Sequence, residues 1–94
     1  MLLNSSLAGV WTTSTTVKLV YIYSTGAIFV RLESPAVNPD ACTGSFYYQI
    51  PATVAANKEL YQMLLTAKAA NQQVKAYVAG CSGAWPQIHH LQMF

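Results

Sequence analysis

Four residues of this chain, Cys42, Cys81, His89 and His90, together have the side chains of a four-ligand zinc site. Their spacing argues against that chemistry. The cysteines lack the close Cys-x-x-Cys pattern of zinc sites and redox motifs. Adjacent histidines on an extended segment point to opposite faces, so the two imidazoles do not readily serve one ion. No metal and no cofactor is expected. Three readings of the cysteine pair stand side by side: a disulfide, two buried free thiols, or metal ligands. The disulfide leads, because closing a loop of this length stabilises by roughly 4 kcal/mol on a chain-entropy estimate.

The segment Gly80-Cys81-Ser82-Gly83 has a superficial likeness to a nucleophile turn, but Gly-x-Ser-x-Gly needs five positions and a strand-to-helix setting. A small-ligand-binding or hydrolytic protein using Ser82, His89 and His90 is therefore an alternative rather than the leading reading. Acid–base chemistry has little to draw on, since Glu33, Asp40 and Glu59 are the only carboxylate side chains. No residue is assigned a catalytic role, and an enzyme is not expected. Aromatics are the richer resource: Trp11, Tyr21, Tyr23, Tyr47, Tyr48 and Trp85 suit sugars and protein partners, and they also suit a barrel core and its rim. Trp11, Tyr47, Trp85 and His89 are the ligand-binding candidates.

Composition narrows the partners. Charged residues make up 9% of the 94-residue chain, against about 25% in ordinary soluble domains. A net charge of +2, dispersed over Lys18, Arg31, Lys58, Lys68 and Lys75, is too weak for a phosphate-binding stripe, so no nucleic-acid partner is expected. The apolar runs are far shorter than the roughly 20 residues that cross a bilayer as a helix. Few charges then imply a Ser/Thr/Gln/Asn/Tyr surface, self-association, or both. Met1-Leu2-Leu3 is followed at once by Asn4-Ser5-Ser6, so no complete export leader is read here. The cysteine pair carries the expectation of a periplasmic or secreted location.

The elements that must position these side chains form one domain, residues 1–94. Residues 1–16 are an N-terminal arm or first strand. Val17 to Tyr23 and Ala27 to Glu33 read as a hairpin about Ser24-Thr25-Gly26. Ile28, Val30 and Leu32 fall on one face of the second strand, and Phe29, Arg31 and Glu33 on the other. A Pro-containing loop, 34–44, leads to a third strand, Ser45 to Ile50. From Ala55 to about Gln72 the period changes: Leu60, Met63, Leu64 and Ala67 recur at helical spacing, with Asn57 as the expected N-cap. Val74 to Ala79 is a fourth strand, Gly80 to Pro86 a turn region, and Gln87 to Phe94 a last strand.

The fold class expected is a β-rich α+β domain, a small OB-like Greek-key barrel of five to six strands with one helix between strands 3 and 4. Tyr61 and Leu65 widen the helix's apolar face beyond what one small sheet needs. Leu60, Tyr61, Met63, Leu64 and Leu65 are accordingly the expected oligomer interface, with burial across a barrel mouth as the competing explanation.

From Ala56 to Cys81 the helix, the Gln72-Gln73 turn, the strand Val74-Lys75-Ala76-Tyr77-Val78 and the cysteine resemble the second half of the OB-fold B subunits of bacterial AB-type toxins, of the subtilase cytotoxin and typhoid toxin kind. The resemblance extends to the hairpin and Cys42. It implies a homopentamer with helices lining a central pore and glycan binding on the outer barrel surface. The chain is also similar to short bacterial proteins without a toxin partner, including mobile gene cassette products. The leading function is thus a non-enzymatic oligomeric binding or adaptor module that recognises glycans. A structural or inhibitory protein that binds one macromolecule is the remaining alternative.

Overall fold

Thr15 to Ile22 is dense in β-branched and aromatic side chains, which pack well on a pleated surface, and it forms the longest strand of the first half of the chain. The computed structural model describes residues 9–94. Its strands are β1 (Val10–Trp11), β2 (Thr15–Ile22), β3 (Ile28–Leu32), β4 (Tyr48–Ile50), β5 (Gln73–Ser82) and β6 (Trp85–Met93), with one helix, α1 (Asn57–Ala70), between β4 and β5. The expected first-strand or arm segment is divided: residues 1–8 lie outside the described residues, and β1 and the start of β2 pair along β5.

Pairing runs around a ring. β2 is antiparallel to β3, β3 to β4, β5 to β6 and β2 to β5, while β4 meets β6 in parallel, Gln49 opposite Gln87. β1 and β2 follow one line beside β5, Val10 opposite Val78 and Thr16 opposite Gln73. Between them the buried Thr12 keeps the ladder satisfied. Its N–H donates to the Ala76 carbonyl at 2.8 Å, and its hydroxyl accepts the Ala76 N–H at 3.0 Å. Closing the ring leaves few strand edges for a sparsely charged protein to protect.

Lys18 sets the facing of β2. Val17 lies opposite Leu32 and Leu19 opposite Arg31, so Lys18 is an extra residue, a bulge. Beyond it the inward parity shifts: Val20 pairs with the buried Val30, and Tyr21 lies across from Phe29 on the outer face. The Lys18 carbonyl, displaced from the ladder, accepts from Lys68 Nζ at 3.2 Å. Inside the ring Val17, Ile28, Val30, Tyr48, Ile50, Val74, Val78 and Ile88 form the core. α1 lays Leu60, Leu64 and Ala67 onto it, at the spacing expected of one helical face.

Three boundaries differ from the sequence expectation. The first turn of α1 closes with the Leu60 N–H donating to the Ala56 carbonyl at 2.9 Å. Asn57 is therefore one residue inside the helix, and no side chain caps its N-terminus. Asn57 Nδ2 instead donates to the carbonyls of Gly26 and Pro51, both at 3.1 Å, binding the β2–β3 turn to the helix start. The third strand is shortened to Tyr48–Ile50, because the Gly44 N–H before it donates to Ala84 of the β5–β6 turn at 2.7 Å. In place of the long turn expected over Gly80 to Pro86, β5 and β6 run on to Gly83-Ala84. Gly80 is absorbed within β5 at φ +71°, where register shifts relieve the ladder.

The Cys42–Cys81 disulfide, with Cα atoms 5.7 Å apart, ties the long loop to β5. Its surroundings reinforce it. The Cys42 N–H donates to Asn38 Oδ1 at 2.8 Å, Asn38 Nδ2 donates back to the Cys42 carbonyl at 2.9 Å, and the Gly80 N–H donates to Asp40 Oδ2 at 2.6 Å. The bridge spans a sequence separation of 39. Replacing both cysteines by serine is expected to lower unfolding free energy by about 4 kcal/mol, measured by urea denaturation. An unchanged midpoint and slope contradict the stapling role.

Candidate functional site

Phe29 projects from the outer face of β3, yet it is only 6% exposed because other rings cover it. Tyr21 stacks on it from β2 at 5.4 Å and 22°, and Tyr23 leans on it at 4.8 Å. Tyr47, just before β4, meets its edge at 5.6 Å, and Trp85, at the start of β6, at 6.4 Å. Tyr47 and Trp85 are themselves 5.5 Å apart, nearly perpendicular. Phe46 extends the group through Tyr47 at 4.9 Å, and the Arg31 guanidinium carbon sits 3.9 Å over the Phe46 ring. Tyr21, Tyr23 and Phe46 are exposed, and Tyr47 and Trp85 half-buried.

This platform exists because of two local features. The Lys18 bulge turns Tyr21 and Tyr23 to the face of Phe29 and Arg31. The glycine at 44 admits Trp85: a Cβ there would lie 2.5 Å from the indole. Packing rings edge-to-face at these separations is worth roughly 0.5–1.5 kcal/mol per pair beyond area burial. Polar handles rim the apolar surface. Tyr21 and Tyr23 hydroxyls are 3.3 Å apart. That hydrogen bond to Tyr23 is the largest cause that pushes the Tyr21 pKa up to about 12, followed by burial and by the charges Tyr23 and Tyr47 acquire at alkaline pH. Among the described residues the Tyr47 hydroxyl and the Trp85 indole N–H have no protein partner.

Of the four ligand-binding candidates, Tyr47 and Trp85 come together here. Trp11 belongs to a second group across β1, β5 and β6, where it lies 5.4 Å from Tyr77 and 6.4 Å from His90. His89 lies at the edge of that second group, its ring 6.3 Å from His90, and its Nε2 donates to the Ala79 carbonyl at 2.8 Å. Tyr48, counted among the aromatics of the sequence, is a core residue. Its oxygen accepts the Val37 N–H at 2.9 Å, and burial raises its pKa. Tyr21 and Tyr23 are among the aromatics the sequence singles out, though not among its four ligand-binding candidates; Phe29, Phe46 and Arg31 join them here because of a bulge that alternation alone does not reveal. A lysine within an otherwise apolar run is the one sequence signal for it.

The cysteines are consumed by the disulfide, so the zinc set of Cys42, Cys81, His89 and His90 is not assembled, and among the described residues no three potential ligands gather. Neither imidazole is hydrogen-bonded to Ser82. Asp40 holds the Gly80 N–H, and Glu59 lies in the first turn of α1. Among the helix residues expected at an oligomer interface, Leu60 and Leu64 are buried in the chain's own core, Tyr61 and Met63 are half-buried, and Leu65 is 42% exposed. Among the described residues no helix is long and apolar enough to cross a membrane.

Comparison with known proteins finds no matching family model, no matching curated protein and no matching solved structure.

The Tyr21–Tyr23 contact gives a spectroscopic test of the platform. In alkaline titration followed by tyrosinate absorbance, Tyr21 is expected to ionise near pH 12. Replacing Tyr23 with phenylalanine removes the contact and moves Tyr21 back toward the ordinary value of about 10. Unaltered titration in Tyr23→Phe contradicts the placement. Gly44→Ala is expected to displace Trp85, read as a red-shifted emission in a Trp11→Phe background. Unchanged emission contradicts the contact.

Proposed function

We propose that this chain is a non-enzymatic binding module whose aromatic platform takes saccharides, built on an OB-type barrel and working as a homo-oligomer, with a pentamer favoured. The observation that carries the reading is the Phe29-centred platform itself. Exposed rings offer faces to the C–H surfaces of sugar rings, while phenol and indole groups at the rim hydrogen-bond hydroxyls. The paucity of charge fits a neutral ligand, because nothing here steers a strongly charged one from a distance. A single-strand nucleic-acid platform combines stacking with a cationic groove. Here a net charge of +2 is dispersed over the chain.

The order of pairing supports the OB-type assignment. With β1 and β2 taken as one bent strand, the ring joins first to second, second to third, third to last in parallel, last to fourth and fourth back to first, with the helix between third and fourth. Barrels of this type bind oligosaccharides and oligonucleotides on the face of strands two and three and on the loops that follow strands one and four. Phe29, Tyr47, Tyr23 and Trp85 stand on those same features. The toxin B-subunit likeness adds the expectation of a pentamer, for which exposed Leu65 with half-buried Tyr61 and Met63 is the candidate contact. The disulfide is consistent with an oxidising compartment, and we place the protein in the periplasm or outside the cell on that basis.

A panel of immobilised neutral glycans, probed with labelled protein, tests the platform. Wild type is expected to bind a subset, and Trp85→Ala and Tyr21→Ala to weaken it by about tenfold or more, since base-like stacking on one ring is worth roughly 1–3 kcal/mol. No binding to any glycan, or binding untouched by both variants, removes the reading. Light scattering coupled to gel filtration tests assembly: a multimer that Leu65→Lys dissociates is expected, and a monomer at micromolar concentration ends the oligomer proposal.

A further inference from the structure

Beside the platform, on the far side of Phe46, lies a cavity of about 310 Å³ walled by Lys18, Arg31, Glu33, Ser34, Pro35 and Phe46, among others. Its chemistry differs from that of the aromatic face. Arg31 contributes through the guanidinium face to Phe46, and among the described residues none of its five N–H donors has a protein acceptor. The Lys18 ammonium likewise makes no ion pair among them. Ser34 Oγ is buried with no hydrogen-bond partner among the described residues. That oxygen has essentially no accessible surface, so it lies behind the cavity wall rather than in it. Two cations thus line one small space with no ion pair among the described residues.

We propose that this cavity is a site for a singly charged oxyanion group, a carboxylate or a sulfate ester, on a small ligand. The charge balance sets the class. Lys18 and Arg31 against Glu33 leave one net positive charge, which matches a monoanion. A phosphate monoester, at about −1.5 to −2 near neutral pH, brings a second charge toward Glu33. Stacking on Phe46 holds the guanidinium plane and leaves its edge to receive two oxygens side by side, the geometry in which arginine differs from lysine. Pro35 with the Phe46 edge gives the rest of the ligand an apolar wall. The placement follows from the bulge, which sets Lys18 out of the β2 ladder beside Arg31. The site stands whether or not the platform takes sugars.

Two-dimensional NMR titration of the whole chain at fixed ionic strength tests it, with D-glucuronate, methyl sulfate, inorganic phosphate and D-glucose as probes. Saturable shifts confined to Arg31, Ser34 and Phe46 are expected with glucuronate, methyl sulfate or both, and the stronger of the two identifies the source of the oxyanion. Glucose is expected to leave those signals in place, and phosphate to bind more weakly. Arg31→Gln should weaken binding about tenfold or more, with Arg31→Lys recovering only part. Lys18→Gln is the second variant, because removing an exposed ammonium that makes no ion pair among the described residues should leave melting temperature level while weakening the anion. If Arg31→Gln does not fold, Lys18→Gln carries the test. No saturable shift with any anion, equal response to glucose, tightest binding of phosphate, or full affinity in the folded variants overturns the proposal.

Discussion

The joint between the long loop and the β5–β6 hairpin is the constraint on which the outer face depends. It is made by the Cys42–Cys81 disulfide, by the Asp40 carboxylate on the Gly80 N–H, and by the Gly44 N–H on the Ala84 carbonyl. The barrel ring would close without it, since β2, β3, β4, β5 and β6 pair through their own ladders. What it adds is the position of the loop over β3. Phe46 and Tyr47 follow directly after the tethered segment, and Trp85 follows directly after the turn it is tethered to. Two stretches about 40 residues apart in the chain are thus drawn against Phe29. A domain this small has little core with which to hold a loop of that length, so a covalent link does what packing does in larger proteins.

A second constraint acts from the opposite strand. One extra residue at Lys18 reverses which side chains of β2 face outward, and the same irregularity has consequences at both surfaces it touches. Toward the turn it delivers Tyr21 and Tyr23 to the aromatic group; at the bulge itself it presents Lys18 beside Arg31 and frees a carbonyl for Lys68. Bulges concentrate at barrel rims and beside functional sites for this reason, since they re-aim side chains without breaking the strand. The aromatic platform and the charged cavity are therefore neighbours with a common origin, separated by Phe46, whose ring touches Tyr47 on one flank and Arg31 on the other.

Much of the scaffold was legible in the residues. The hairpin about Gly26, the apolar period of Leu60, Leu64 and Ala67, the single helix between strands, and the pairing of Cys42 with Cys81 all follow from local chemistry that tertiary contacts then reinforce. The site was legible only in part. Tyr21, Tyr23, Tyr47 and Trp85 stand out by type and Phe29 falls on the face of Arg31, but Trp11 and His89 belong to other surroundings, and the change of parity that sets Tyr21 across from Phe29 is not readable from alternation. Asn57 misled for a related reason: its amide has a better use between Gly26 and Pro51 than as a cap. Gly80 looked like a turn and is a strand residue, because register shifts in β5 accommodate its left-handed φ. In each case a contact between distant segments outweighed the local preference.

The claim that the disulfide joint assembles the aromatic face is tested most directly by NMR contacts of the Trp85 ring in oxidised and reduced protein. In the oxidised protein the indole should show contacts to the Gly44 α-protons, Tyr47 and Phe29. On reduction those contacts should vanish, while the Val20–Val30 and Tyr21–Phe29 contacts of the β2–β3 ladder persist. Trp85 contacts that survive reduction unchanged would contradict the account, as would their absence from the oxidised protein.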